Sequence, residues 1–451
     1  MSDLIKMPLT DVAATTTSEP PSLMSRVFAL AHRRATWVLI DQGVVSLGNF
    51  LTINLLVRNL AETKYGAFNV LLETMLYLNS LQAAVINYPL TIRGASGDHA
   101  NLKRLATASV GLTLGLLPLL GASIAVAAAV LQGWEFAIVA IAAMVLWQVQ
   151  ETLRRALISE LRFADAVWGD AISFLGQAAT LFILGRMGLI TFGSALLVMS
   201  LTSGAAIALQ AMQIGLVRIR LRELKVIVRD FWKLGWWMLL TNSTGLITAL
   251  SYTWTLKWAH GLVASAVWGA IVAMFKLANP IQSSMCGLIV PAVARARAND
   301  GNRAASRVAI RYIAFGATLL MPYFLVIALF PTQLLKFFYG ADSPYVNEGQ
   351  WLRLFVANYT AVYLLSTINA WLAALGHSRW NFYSQVVNIV ITISMSLPLI
   401  YWLGVPGVII GGLLSVIGTG AVTGYFIRRA AYTAPDDPET TSQTVVIPPE
   451  A

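Results

Sequence analysis

Charge is what this 451-residue chain has least of. Only 12% of its residues are Asp, Glu, Lys or Arg, and none occurs among the 48 between Arg379 and Arg428 or the 31 between Arg186 and Arg218. A soluble surface cannot be built from such runs, whereas about 20 consecutive apolar residues suffice to cross a bilayer. Cysteine is nearly absent too: Cys286 stands alone, so no internal disulfide can form. The four histidines, His32, His99, His260 and His377, are scattered without metal-ligand spacing or a Ser-His-Asp arrangement. No glycine-rich phosphate loop is present, which excludes direct drive by ATP. A membrane glycosyltransferase would show paired carboxylates in its first external loop, but the stretch from Arg58 to Lys64 holds only Glu62. The longest external loop, 332–349, is short for a polysaccharide polymerase or ligase. These absences argue against an enzyme, and no resident metal or organic cofactor is expected; ion or proton coupling stays open.

What is present is 57% hydrophobic residues, 33 glycines and 14 tryptophans, a composition suited to lipid contact with aromatic anchors at the headgroups. The expected fold is an all-α polytopic membrane protein. Twelve spans are expected, at 36–57, 65–89, 105–131, 135–153, 166–186, 189–215, 234–257, 263–290, 310–331, 350–375, 380–402 and 405–427. Residues 1–24 are polar and lack the pattern of a secretory signal. The expected organisation is a leader with an amphipathic segment (1–35), an N-lobe of six spans (36–215), a basic linker (216–233), a C-lobe of six spans (234–427) and a disordered tail (428–451).

Positive charge sets orientation, because Lys and Arg near helix ends are retained in the cytosol. One set of loops carries Lys6, Arg26, Arg33, Arg34, Arg93, Lys103, Arg104, Arg154, Arg155, Arg162, the run from Arg218 to Lys233, Arg295 to Arg311, Arg379, Arg428 and Arg429. The other set carries only Arg58, Lys64, Arg186, Lys257 and Lys336. Both termini are therefore expected in the cytosol. The net charge of +10 is read as this orientation signal and not as a nucleic-acid footprint. Basic and apolar residues alternate between Arg218 and Lys233, as in a helix lying on anionic headgroups.

The two halves echo each other. Tyr65-Gly66-Ala67 matches Trp268-Gly269-Ala270, and the same offset aligns Glu73 with Lys276, Asn79 with Gln282 and Ser80 with Ser283. Repeated halves with a site at their interface are a common transporter plan. Thr241, Thr244, Thr248, Ser251 and Thr255 recur every three or four residues along the seventh span; Asn69, Glu73, Tyr77, Ser80 and Asn87 do so in the second, and Lys276, Asn279 and Ser283 in the eighth. Such stripes avoid lipid and face either neighbouring helices or a hydrated cavity. A charge at the bilayer centre costs roughly 2.5–3.5 kcal/mol on insertion scales. Glu73 and Lys276 are thus either an ion pair joining the lobes or a working site, in which Lys276 receives an anion and Glu73 releases it or takes a proton. Asp41, Glu151 and Asp170 are expected to pair with Arg154, Arg155 or Arg33.

The segment Asp41-Gln42-Gly43, Asn49-Phe50, Leu56-Val57-Arg58-Asn59-Leu60 and Lys64-Tyr65-Gly66-Ala67-Phe68 resembles the opening of bacterial polysaccharide transport proteins. These are the O-antigen and exopolysaccharide flippases of the multidrug/oligosaccharidyl-lipid/polysaccharide (MOP) superfamily. The match covers residues 36–90. The resemblance implies two pseudo-symmetric six-helix lobes around a central cavity in the bacterial cytoplasmic membrane, carrying a lipid-diphosphate-linked oligosaccharide to the outer leaflet. On that view Lys276, Arg58 and Lys257 meet the diphosphate, and Asn69, Asn279, Gln282, Thr241, Thr244, Thr248 and Ser251 meet sugars. Glu73 and Asp41 act in gating or coupling. The partners are the lipid-linked oligosaccharide, membrane lipid and other polysaccharide assembly proteins, and not nucleic acid. A cation-coupled drug extruder of the same superfamily and a non-transporting scaffold of a polysaccharide assembly complex remain as alternatives.

Overall fold

The computed structural model describes residues 34–95, 99–376 and 378–430. Most of the leader and of the tail, with Lys6, Arg26 and Arg33, lies outside these residues. Among the described residues there is no strand. Twelve membrane helices follow one another: α1 (Arg34–Asn59), α2 (62–94), α3 (99–131), α4 (Trp134–Ser159), α5 (Phe163–Arg186), α6 (Phe192–Ile214), α7 (221–260), α8 (262–300), α9 (302–329), α10 (Gly349–Ala374), α11 (378–403) and α12 (Val405–Ala430). A short helix, Pro331–Tyr339, lies between α9 and α10. Helices are the expected solution because each satisfies its own backbone hydrogen bonds, which lipid cannot do.

Each of the twelve expected spans falls on a helix, and the differences lie at helix ends and at breaks inside α3 and α8. Helix α2 begins at Glu62, three residues before the expected start. Helix α3 is bent by 47° between Gly115 and Leu117, where Pro118 lacks the amide proton that would continue the ladder. Helix α7 begins at Leu221, so most of the expected linker is already part of a membrane helix. Helices α7, α8 and α9 follow each other without loops. Only Gly261 (φ 81°) and Gly301 (φ 77°) separate them, each in a left-handed conformation that side chains disfavour.

The helices form two six-helix lobes, and the apolar cores show how these meet. The faces of the molecule are distinguished here by charge: the arginine-rich face carries the basic loops, and the opposite face carries Arg58 and Lys336. One core is continuous through both lobes, joining Leu56, Tyr65 and Leu71 to Phe275, Leu335 and Leu352. Near the arginine-rich face there are two separate cores instead. One holds Ile86, Leu90, Leu102 and Leu153 with Phe231 of α7, and the other holds Ile289, Val293, Ala305 and Leu375. The lobes are therefore joined towards the opposite face and parted towards the arginine-rich face, except along α7.

Candidate functional site

Helices α2 and α8 cross where both carry glycine. A Cβ on Gly66 would lie 2.7 Å from the carbonyl carbon of Leu262, and one on Gly269 would lie 2.6 Å from Oδ1 of Asn69. Each of the repeated Gly-Ala pairs thus lets the other helix approach closely, Gly66 at Leu262 and Ala266 and Gly269 at Asn69. The seam is sealed by polar contacts as well: Asn69 donates to the Ser265 carbonyl at 3.2 Å, and Trp254 Nε1 donates to Thr74 at 3.1 Å. Further towards the opposite face, Tyr65 and Tyr345 meet edge to face at 6.2 Å, and the Arg58 guanidinium donates to the carbonyls of Phe337 (2.6 Å) and Phe338.

Just inside this seal, α8 breaks. Residues Lys276–Ala278 form a turn of 3-10 helix, and the Asn279 amide bonds to the Lys276 carbonyl. Pro280 has no N–H to offer that carbonyl, so the shorter bond takes its place. Two tyrosines satisfy groups around the break: Tyr323 donates to the Met274 carbonyl and Tyr359 to Asn279 Oδ1. Phe275 stacks on Tyr359 at 5.0 Å and meets Phe355 at 4.9 Å, while Phe324 meets Tyr359 at 5.9 Å. The break therefore stands against an aromatic wall in the C-lobe.

Lys276 is half-buried at this break, and Glu73 is half-buried on the facing helix α2. They do not form a direct ion pair, but each lies in the other's electrostatic field. Neither makes a hydrogen bond among the described residues. The helical face expected for Lys276, Asn279 and Ser283 does not run continuously, because the break resets the register after Lys276. Beyond it, Asn279, Ser283 and Gly287 form an exposed stripe leading to the arginine-rich face.

The other residues singled out in the sequence are dispersed. Asn69 and Arg58 are engaged in the seam. Lys257 lies over the Trp258 ring at 3.7 Å from its centroid, and Gln282 donates to Ser366 of α10 at 3.0 Å. On α7, Ser251 bonds to its own helix at the Ile247 carbonyl, and the Thr248 hydroxyl is buried without a partner. Thr244 is half-buried, and the side chain of Thr241 lies outside the described residues.

A second cluster lies wholly in the N-lobe. Arg154 reaches three carboxylates: Nε to Asp170 at 2.5 Å, Nη2 to Asp41 at 2.5 Å and Nη1 to Glu151 at 3.3 Å. Arg155 adds a contact to Glu151 at 2.6 Å, and Gln150 donates to Asp170 at 2.9 Å. Asp41, Asp170 and Arg154 are all buried, and Asp41 Oδ1 has no partner. Three carboxylates against two guanidiniums leave an excess negative charge that burial makes costly. Beside it, Gln82, Asn87, Thr113 and Thr152 form a closed network at 2.9–3.1 Å, next to the π-helical turn Ala83–Asn87. The pairing of these acids with Arg154 follows the sequence expectation. The aromatic wall had no such signal, since its rings come from three helices, α8, α9 and α10.

This architecture is shared with solved transporters. An inward-facing multidrug resistance MATE family transporter of the MOP superfamily superposes with a TM-score of 0.68 at 15% identity, covering 88% of this chain and 99% of its own. An outward-facing MATE transporter gives 0.60 at 15% identity, covering 88% and 95%. A MOP superfamily transporter from Pyrococcus furiosus, whose binding pocket is described as having reverse polarity that suggests a different function, gives 0.59 at 15% identity, again covering 88% and 95%. The chain is thus a multi-pass membrane protein with the fold of the MATE transporters. No protein-family model and no curated protein matches it.

Proposed function

We propose that this protein is a flippase that moves polyprenyl-diphosphate-linked oligosaccharides across the bacterial cytoplasmic membrane by alternating access, with the arginine-rich face and both termini in the cytosol. The observation that carries the reading is Lys276: a cation at a helix break, facing the seam between the lobes, with no direct partner among the described residues. A diphosphate entering a low-dielectric site needs such a cation, and a charge-assisted contact there is stronger than a neutral one. The half-buried Tyr359 ring, backed by the buried Phe275 and Phe324, offers an aromatic surface for sugars, and the exposed Asn279–Ser283 stripe offers polar partners along the route. The oligosaccharide enters from the cytosolic side, where the lobes are parted, and the lipid tail stays in the bilayer. Glu73 weakens the hold of Lys276 on the anion and so favours release. The Asp41–Arg154–Asp170 cluster, with its excess negative charge, takes up a proton or cation and couples transport to an ion gradient.

The decisive test is leaflet translocation of a fluorescent polyprenyl-diphosphate oligosaccharide in liposomes. Wild type flips it, Lys276→Ala does not, and Lys276→Arg retains part of the activity. Equal flipping by Lys276→Ala would make the lysine structural. Failure of the wild type with several glycolipids would favour the second reading, a cation-coupled drug extruder. The multidrug transporters that share the fold and the acidic N-lobe cluster support that alternative. The reverse-polarity description of the Pyrococcus furiosus pocket supports a substrate of different charge on the same fold, and a lone lysine at the seam suits an anion.

A further inference from the structure

Towards the opposite face, a groove of about 560 Å³ lies on the outside of the molecule between three elements. Helix α1 contributes Phe50, Leu51, Asn54 and Arg58, helix α5 contributes Ala178 and Phe182, and the short C-lobe helix contributes Phe337 and Phe338. The groove is not part of the Lys276 site. Its inner edge is closed by the Phe50–Phe338 ring contact at 5.1 Å and by the Arg58 bonds to the C-lobe carbonyls. Its mouth faces lipid: Leu51, Phe182 and Phe337 are exposed.

Three features of the groove call for a particular occupant. One cation, Arg58, lines the groove and no carboxylate does; Arg186 and Lys336 stand in the last turns of the other two wall elements, outside the lining. One turn deeper than Arg58, Asn54 is only 7% exposed; its Nδ2 bonds to the Phe50 carbonyl, and its Oδ1 has no partner. A slot for hydrocarbon alone would not hold an unpaired amide. We infer that this groove binds an anionic phospholipid of the surrounding leaflet, with its phosphate at Arg58, its glycerol region beside Asn54 and an acyl chain along Phe50, Leu51, Ala178 and Phe182. The occupant comes from the bilayer and not from the transport route, because the inner edge is shut and the mouth opens sideways.

Both lobes build the groove, so it is complete only while the opposite face is closed. A ligand that binds one of two states stabilises that state by mass action. The phospholipid therefore holds the opposite face shut, and anionic lipid content tunes how readily the lobes exchange.

Native mass spectrometry of the full chain, extracted from bilayers containing phosphatidylglycerol and phosphatidylethanolamine, tests the inference. Wild type retains a phosphatidylglycerol adduct that both Arg58→Gln and Ala179→Trp lose. Ala179 lies exposed on the lipid side of α5, so the second variant fills the groove without touching the Arg58 contacts. In a Cys286→Ser background, spin labels at Leu60→Cys and Asp342→Cys shift towards the shorter distance as phosphatidylglycerol is added, and Ala179→Trp abolishes the shift. Retention that is unchanged in Ala179→Trp, or equal for phosphatidylethanolamine, overturns the proposal. Displacement of phosphatidylglycerol by a polyprenyl phosphate also overturns it, making the groove part of a substrate path. None of these outcomes depends on whether oligosaccharide is flipped.

Discussion

The two lobes have the same number of helices but handle buried polarity in opposite ways. The N-lobe concentrates charge: Asp41, Glu151, Arg154 and Asp170 contact one another, and a closed amide-hydroxyl network sits beside them. The C-lobe has an aromatic wall and, at a proline-induced break inside it, Lys276 without a hydrogen bond or direct ion pair among the described residues. A salt-bridged cluster is costly to disturb and holds its own helices in place, whereas an unpaired cation contributes little to stability and is available to a ligand. The N-lobe thus keeps its buried charges in contact with one another, and the C-lobe keeps Lys276 apart.

The largest effect is expected from breaking the N-lobe cluster. Arg154→Met strands Asp41 and Asp170, while Glu151 keeps Arg155, and is expected to cost about 3–5 kcal/mol, read as a lowered unfolding midpoint in micelles, with partial recovery when Asp170→Asn is added. The C-lobe counterpart sharpens the contrast. Lys276→Met is expected to leave the midpoint unchanged or raised, while transport falls roughly 10–100-fold, the value of a charge-assisted contact of about 1.5–3 kcal/mol. Gly66→Ala forces a Cβ onto the backbone at Leu262 and should cost about 1–3 kcal/mol, with the spin-label distance across the opposite face lengthened. Pro280→Ala permits a continuous α8; a slightly higher midpoint with slower transport is the expected result, and unchanged transport would show that the break is dispensable.

The smallest effect concerns Glu348, in the turn before α10. Burial, and then the charge of Glu62, raise its carboxyl above the ordinary range. The folded protein therefore holds this proton more tightly than the unfolded chain does. Stability from this group is present below the unfolded value and declines as pH rises through the raised folded-state value, and Glu348→Gln should flatten that part of the midpoint profile.

Much of the fold was legible because lipid imposes simple rules on sequence: uncharged runs gave the spans, and the Gly-Ala echo marked the two helices that cross. The pairing of Asp41, Glu151 and Asp170 with Arg154 was also legible, since acids in apolar runs need nearby cations. Asn279-Pro280 carried the signal for the α8 break, but uninterrupted hydropathy concealed it and suggested a regular Lys276–Asn279–Ser283 face. Contacts between distant parts of the chain left no local trace. Arg58 bonding to carbonyls near residue 338 and Tyr359 reaching Asn279 depend on how the lobes meet, which no single helix encodes.

Helix α7 has a consequence for how the molecule changes shape. Its start is fastened to the N-lobe by the bidentate Arg93–Asp230 pair at 2.7–2.8 Å, by Phe231 in the N-lobe core and by Gly235 against the α2 backbone; its far end is fastened there through Trp254 and Thr74. The chain divides after α6, but the mechanical division falls elsewhere. Yet α7 is fastened to the C-lobe too, by His260 at the Ile400 and Tyr401 carbonyls of α11 and by Trp237 against Phe382. A motion that opens one face and closes the other therefore cannot be a clean swing of six helices against six, because this one helix is riveted to both.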